Sequence, residues 1–454
     1  MKHYHFVGIG GARLSALAKL YYDRGIIVSG SDTQESKVVQ KLKDQGIKFY
    51  QGHQAENIAG ADLVVYTNAV GNENPEVLAA QEKGIALIEG AELLGQLMSE
   101  VGQGIAIAGT HGKTTTSSMT ALVLAEGGVD PTVLIGGEIA AFKGNHRTGK
   151  SPYMVVEACE FKRSFLYLRP TIELITNVDW DHPDCFPTMD DVMRTFIDFV
   201  ELLPLEGKLL LWGDDPNALK LQEYFSGKVI TFGYQTHFDW SLNEIRQIPP
   251  LGIAASLSYQ GKAQGELRLQ VPGRHNLQNA LGAVAIAAEL GVPLENILTS
   301  LSNFAGVGRR FEIKGSYQGA MVVDDYAHHP SAIRTTLAAA RQAFSGKIWC
   351  VFQPHLYSRT KYLLKEFIQA FNDADVLVLA DIYAAREKDP GDISSQDLAN
   401  GVINQGHQQV QYLGNFENII EYLKNNVKTG DLIITMGAGD IWKVGEKLAS
   451  TAGY

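Results

Sequence analysis

The residues best equipped for chemistry lie just after an apolar run, Gly104 to Ala108, which breaks into the glycine-bounded Gly109-Thr110-His111-Gly112 and continues as Lys113, Thr114, Thr115 and Thr116. Glycines at 109 and 112 let successive backbone N–H groups converge on one anion. Lys113 adds a mobile positive charge, and the Thr114 hydroxyl suits a magnesium ion. The spacing is the short Gly-x-x-Gly-Lys-Thr form, since Ile107 stands where a longer phosphate loop would need glycine. The segment from Ser117 to Ala125 reads as the helix that follows, so the expected ligand is a nucleoside triphosphate.

Other chemistry-bearing clusters stand at the ends of apolar runs. Tyr153 to Glu157 reads as a buried strand ending in the carboxylates Glu157 and Glu160, beside the loop where a hard oxygen donor can hold magnesium. Ile172 to Asn177 runs into Asp179, Asp181, His182 and Asp184, a density of metal-compatible groups that packing does not explain. Near the start, Phe6, Val7 and Ile9 lead into Gly8-x-Gly10-Gly11, a helix from about Leu14 to Arg24, and a strand end at Ser31 and Asp32. Strand, glycine turn, helix and strand with an acid is a Rossmann-like arrangement for a dinucleotide or another pyrophosphate. Arg13 replaces the third glycine, and Asp32 fits either a ligand role or a turn.

The elements that must carry these groups follow a βα rhythm. Asp62 to Asn68 and Ile85 to Ile88 continue the first sheet, and a helix from Ala91 to about Glu100 places a boundary near residue 99. Lys208 to Asp215 and Val229 to Gly233 read as strands, and Leu251 to Val271 as an antiparallel excursion. Gly273-Arg-His-Asn276 opens an alanine-rich helix, where Asn276 and Asn279 suit either a purine base or a cap. Near 307 a glycine-rich linker carries Arg309 and Arg310, suited to clamping a phosphate. Four further strands end in Asp324-Asp325-Tyr326, Gln353-Pro-His355 with Arg359, Asp381 and Met436-Gly-Ala-Gly-Asp440, with helices between, which predicts another doubly wound sheet. The fold class is therefore α/β in three domains: residues 1–98 Rossmann-like, 99–307 a central phosphate-loop domain, and 308–454 a C-terminal Rossmann-like domain.

The totals agree with a large globular enzyme. A chain of 454 residues, 45% hydrophobic and 20% charged, calls for about three cores at roughly 100 to 200 residues each. A net charge of −11 argues against a nucleic-acid partner. Cys159, Cys185 and Cys350 show no paired spacing, so neither a disulfide framework nor a zinc site is expected. No apolar run approaches membrane-spanning length and the first residues lack a signal-peptide pattern, so a cytoplasmic protein with no membrane partner is expected.

Taken in order, these segments resemble the Mur ligases of peptidoglycan synthesis over nearly the whole chain. The markers are His5-Phe-Val-Gly-Ile-Gly-Gly11, Ser29-Gly-Ser-Asp32, Gly109-Thr-His-Gly-Lys-Thr-Thr115, Glu157-Ala-Cys-Glu160, Thr176-Asn-Val-Asp-Trp-Asp-His182, Arg274-His-Asn276, Arg309-Arg-Phe311, Asp324-Asp-Tyr-Ala-His-His-Pro330, Phe352-Gln-Pro-His355 with Ser358-Arg-Thr360, and Met436-Gly-Ala-Gly-Asp-Ile441. The resemblance implies that ATP phosphorylates the lactyl carboxylate of UDP-N-acetylmuramate and that the amine of L-alanine then displaces phosphate, with Mg2+ assisting. It assigns Lys113, His182 and Arg310 to catalysis, and Gly109, Thr110, His111, Gly112, Lys113, Thr114, Thr115, Asn276, Asn279, Arg310 and Asp325 to ATP. It assigns Gly8, Gly10, Gly11, Ser31 and Asp32 to the UDP-sugar, Tyr326, His355 and Arg359 to the amino acid, and Thr114, Glu157 and His182 to metal. A monomer or homodimer is expected.

This chain departs from the family pattern at three places. Arg13 and Leu14 replace a usual glycine and methionine, and Leu356 stands where some members carry a second arginine. The carboxylated lysine of other Mur ligases has no counterpart, since that neighbourhood reads Met193-Arg-Thr-Phe196, in keeping with the alanine-adding branch. The alternatives are a ligase that adds a preformed peptide to the same nucleotide sugar, a nicotinamide oxidoreductase built on the first domain, and a non-catalytic nucleotide sensor.

Overall fold

The computed structural model describes residues 2–67, 70–71, 73–181, 185–249, 251–385 and 387–450. The chain divides into two compact units: Met1–Trp180, Thr188–Trp240 and Leu281–Ser300 form the first, and Asp181–Pro187, Ser241–Ala280 and Leu301–Tyr454 the second.

The first unit contains two sheets. One is all-parallel, built from β1 (His3–Val7), β2 (Ile27–Asp32), β3 (Lys48–Gln51), β4 (Leu63–Tyr66) and β5 (Ala86–Glu89) in the order β3-β2-β1-β4-β5. Phe6, Val7, Val64 and Val65 are fully enclosed, which is what a strand covered on both faces requires. The strand order reverses at β1, and the glycine turn that follows β1 lies at this switch point, where open α/β sheets bind ligands.

The second sheet of this unit uses β6 (Gln103–Ala108), β7 (Thr132–Ile139), β8 (Gly144–Arg147), β9 (Tyr153–Glu157), β10 (Pro170–Ile175), β11 (Lys208–Trp212) and β12 (Lys228–Gly233). Their order is β12-β11-β10-β6-β9-β7-β8, parallel except for β7 with β8. β6 lies between β9 and β10, so the loop after it also opens at a switch point. The helix Lys113–Glu126 begins four residues before the expected Ser117 and is buried from Thr114 through Leu124. Its early start follows from Gly112, whose φ of +83° turns the chain straight from loop into helix.

In the second unit, β13 (Trp240–Ile248) precedes β14 (Gly252–Tyr259) and β15 (Lys262–Leu269), which pair antiparallel and supply the antiparallel excursion expected over Leu251 to Val271. A six-stranded sheet follows: β16 (Glu312–Tyr317), β17 (Ala320–Asp325), β18 (Ile348–Phe352), β19 (Val376–Ala380), β20 (Val410–Gly414) and β21 (Leu432–Met436), in the order β16-β17-β21-β18-β19-β20. Only β16 is antiparallel to its neighbour. Val322, Trp349, Val351, Val376, Val378 and Ile433 pack one face against Ile419, Leu423, Val444 and Leu448. The parallel strands send their carboxyl ends, and the polar residues at them, to one edge. No described helix is long and apolar enough to cross a membrane.

Candidate active site

The phosphate loop is held open from beneath by the end of β10. The Thr176 hydroxyl donates to the His111 carbonyl at 2.6 Å, the Asn177 side-chain amide donates to the same oxygen at 2.9 Å, and the His111 amide donates to Asn177 Oδ1 at 2.9 Å. Thr110 Oγ1 donates to the Asp179 carbonyl and accepts from the Asp179 amide, at 3.0 and 2.8 Å. Lys113 Nζ donates to the Gly109 carbonyl at 2.5 Å, the Thr110 carbonyl at 3.0 Å and Glu160 Oε1 at 3.0 Å. Burial draws the Lys113 pKa down, but the adjacent Glu160 carboxylate more than offsets this, so the group stays cationic, with its pKa above the ordinary value. Thr114 and Thr115 are buried in the first turn of the helix.

Gly109 cannot be replaced without moving this support. Its φ is +134°, and a Cβ there would stand 2.0 Å from Thr176 Oγ1. Gly109→Ala is expected to disfavour the backbone conformation by about 1–3 kcal/mol and to push the loop off Thr176 as well. The check is thermal shift on adding nucleotide: the variant should lose the stabilisation that wild type gains, and an undiminished shift would contradict this role for the glycine.

The two carboxylates at the end of β9 part company. Glu160, buried, pairs with Lys113, whereas Glu157 turns to accept the Gly136 amide at 2.7 Å. Glu157 and the Thr114 hydroxyl are hard oxygen donors flanking a phosphate loop, the donor chemistry that magnesium takes. His182 and Asp184 lie outside the described residues. Asp181 is drawn elsewhere, to Arg359. Among the described residues no group of three His, Cys, Asp or Glu side chains is gathered as a metal cluster.

The N-terminal glycine turn is tied to the end of β2. The Gly8 and Ile9 amides donate to the Ser31 carbonyl at 2.8 and 3.0 Å, and the Gly11 amide to the Gly8 carbonyl at 3.2 Å. Asp32 accepts the Gly10 amide at 2.9 Å, so its carboxylate shapes the turn. A Cβ on Gly10 would approach that carboxylate to 2.9 Å. Arg13, at the position of the missing third glycine, reaches Ser164 Oγ at 3.4 Å.

In the second unit the paired arginines have different partners. Arg309 donates to Asp324 at 3.1 Å and to the Gly437 carbonyl at 2.7 Å, and so joins the ends of β17 and β21. Arg309 and Arg310 both lie over the Tyr326 ring, at 4.9 and 5.0 Å from its centroid. Asp325 accepts the Phe311 and Ala327 amides, both at 2.8 Å; burial raises its pKa and Arg310 pulls it back only in part. Asn276 donates to the Pro272 carbonyl at 2.7 Å, and Asn279 is buried in the same helix, Arg274–Glu289.

Of the residues expected at the amino acid, Tyr326 follows β17 while His355 and Arg359 follow β18. Arg359, buried, is 3.4 Å from His355 Nδ1 and from Asp181 Oδ1. The His355 ring stacks on Tyr383, and His328 meets His355 edge-on. Burial and the Arg359 charge hold His328 neutral, its pKa well below the usual histidine value. Leu356 is itself in the positive-φ region, at +70°, and caps the short helix Tyr357–Tyr362 that carries Arg359.

Sequence reasoning gave no separate role to Thr176 and Asn177, missed the Lys113–Glu160 and Arg359–Asp181 pairs, and passed over Tyr383. The position of Thr176 and Asn177, polar and directly after a strand beside the loop, was the available signal. The two pairs join residues far apart in the chain and left none.

Sheets with loops at their switch points, one of them a lysine-bearing phosphate loop, define a nucleotide-binding α/β enzyme. Three family models match in succession: the Mur ligase family catalytic domain over residues 3–101, the Mur ligase middle domain over 107–287 and the Mur ligase glutamate ligase domain over 309–439. The chain belongs to the Mur ligase family. It is 45% identical over 447 residues to the UDP-N-acetylmuramate--L-alanine ligase of Acetivibrio thermocellus, covering 98% of this chain and 95% of that one. It is 43% identical over 449 residues to the enzyme of the same name from Alkaliphilus metalliredigens, covering 99% and 97%. Among solved structures, the UDP-N-acetylmuramate-alanine ligase from Thermotoga maritima superposes with a TM-score of 0.85 at 28% identity, covering 100% of this chain and 99% of that one. A murein peptide ligase from Psychrobacter arcticus superposes at 0.74 with 25% identity, covering 100% and 99%.

Proposed function

We propose that this chain joins L-alanine to the lactyl carboxylate of UDP-N-acetylmuramate at the expense of ATP, which becomes ADP and phosphate, in cytoplasmic synthesis of peptidoglycan precursors. The observation that carries the reading is the 45% identity, over 98% of the chain, to a relative of that name. A lactyl carboxylate oxygen attacks the γ-phosphorus of ATP, the bond from that phosphorus to the β-phosphate oxygen breaks, and ADP leaves. The neutral amine of L-alanine then attacks the acyl carbon of the acyl phosphate, phosphate leaves with the C–O bonding pair, and the nitrogen loses a proton to form the amide.

An anion attacking a polyanion needs positive charge gathered at the reacting phosphorus. Lys113 supplies it from the phosphate loop, with the Gly109–Thr115 backbone amides, and Arg310 is the second cation of this reading. Thr114, Glu157 and His182 are the residues that would hold magnesium, which when bound neutralises phosphate charge. Asn276 and Asn279 serve the adenine and Asp325 the ribose. Gly8, Gly10, Gly11, Ser31 and Asp32 hold the UDP-sugar, and Tyr326, His355 and Arg359 the amino acid. The assignment of residues 1–98, 99–307 and 308–454 to nucleotide sugar, ATP and amino acid belongs to the same proposal.

The likeness to a murein peptide ligase keeps a second acceptor reading in view, addition of a preformed tripeptide. Phosphate release with ATP and UDP-N-acetylmuramate, measured against a panel of amino acids and the tripeptide, separates the two. Release is expected with L-alanine and not with the tripeptide; release with the tripeptide alone would refute the alanine assignment.

A further inference from the structure

The first unit encloses a carboxylate that the proposed reaction does not use. Glu76, in the first turn of the helix Pro75–Glu82, is fully buried. It accepts from Ser31 Oγ at 2.5 Å and from Asn57 Nδ2 at 2.6 Å, with His53 Nδ1 at 2.9 Å and His5 Nε2 at 3.5 Å. A second layer holds the first: His5 Nδ1 and His3 Nε2 lie 2.8 and 2.7 Å from Ser29 Oγ. Burial alone would raise the Glu76 pKa, but the neighbouring His5 and the hydrogen bonds from Ser31 and Asn57 outweigh it and bring the value to about 2. A buried anion is tolerated only when it is multiply partnered, and this one is.

The cluster is joined to the glycine turn through one residue. Ser31 gives its hydroxyl proton to Glu76, while its carbonyl accepts the Gly8 and Ile9 amides. His53 Nδ1, within 3.0 Å of Ser31 Oγ as well, is committed to the same cluster. Asp32, the next residue, holds the Gly10 amide. We propose that Glu76 is a positioning residue for the nucleotide-sugar site: it anchors Ser31 and orients His53 from behind, and so sets the end of β2 on which the Gly8–Gly11 turn is built. The inference rests on the assignment of that turn to the UDP-sugar.

Steady-state kinetics of the full chain test it, with Glu76→Gln, Glu76→Asp and Gly10→Ala compared. Loss of a charge-assisted hydrogen bond at one remove from the ligand predicts a rise of about tenfold in KM for UDP-N-acetylmuramate with Glu76→Gln. The kcat and the KM values for ATP and L-alanine should stay within about twofold. Glu76→Asp, which keeps the charge on a shorter arm, should give a smaller rise in the same constant, and it carries the test if Glu76→Gln does not fold. A lowered melting temperature with an unchanged KM for the nucleotide sugar, in Glu76→Gln or in Glu76→Asp where only that folds, would reduce Glu76 to a structural part and overturn the proposal. If Gly10→Ala raises that KM and the Glu76 variant does not, only the Glu76 inference falls. If neither raises it, the assignment of the turn falls.

Discussion

Replacing Lys113 with alanine is expected to lower kcat by roughly a hundredfold to a thousandfold, the scale of about 2.7–4 kcal/mol seen when one preorganised group facing transition-state charge is removed. The same change should also destabilise the fold, for a separate reason. Lys113 is the partner of Glu160, whose side chain is buried, and it also donates to the Gly109 and Thr110 carbonyls. Alanine leaves Glu160 as an uncompensated buried charge, at a cost of about 3–5 kcal/mol. The two effects separate in the double variant Lys113→Ala/Glu160→Gln, which removes the stranded charge without restoring the cation. Its melting temperature should recover most of the loss while kcat stays at the level of the single variant. Wild-type kcat in the double variant would eliminate Lys113 as a source of transition-state charge.

How much of this arrangement the sequence disclosed depended on whether a residue's partner was near it in the chain. The phosphate loop, the glycine turn after β1 and the strand-end polar residues were legible because each is a local pattern, an apolar run broken by glycine or by clustered acids. The central strands β1, β4, β6, β9 and β10 were legible for the same reason, since a strand covered on both faces must be continuously apolar. Four of the edge strands, β3, β8, β16 and β20, left no such trace. Half-buried throughout in β8, and carrying exposed residues such as Lys48 and Gln411 elsewhere, they have only one neighbouring strand and need no apolar run.

The functional side chains divide in the same way. Lys113 and Asp32 were found by spacing, but what each touches was not: Lys113 reaches Glu160 and Asp32 reaches the Gly10 amide. Arg309 and Arg310 read alike as neighbours in a basic pair, and the fold distinguishes them by committing Arg309 to Asp324 and Gly437. Glu76 follows Asn74 and Pro75 and reads as an ordinary first-turn acid, stabilised by the helix dipole. Its burial among His5, Ser31, His53 and Asn57 arises only when β1, β2 and its own helix are brought together.

Glu173 presents the opposite case, a buried carboxyl with no hydrogen-bond partner among the described residues, and its replacement is expected to raise stability in a pH-dependent way. It lies within β10, in register with Ala106 of β6 and Leu209 of β11, and burial raises its pKa well above the ordinary carboxylate value. In the unfolded chain the group titrates near its ordinary value; in the folded protein it keeps its proton to higher pH. Between those two values the folded state binds more protons, so wild-type stability falls as pH rises, by up to about 1.4 kcal/mol for each pH unit of the window. Glu173→Met, unbranched and apolar, removes the titration. The variant should match wild type most nearly below the unfolded value and exceed it increasingly above, with the gap widest where wild type must bury the charge. Because every other titrating group is common to both proteins, the difference between their urea-unfolding free energies across pH isolates Glu173. A difference that stays constant from acid to alkaline pH would mean that this carboxyl is not held protonated by the sheet. A rising difference would show that β10, which ends at the Thr176 and Asn177 that support the phosphate loop, loses stability as its own buried acid ionises.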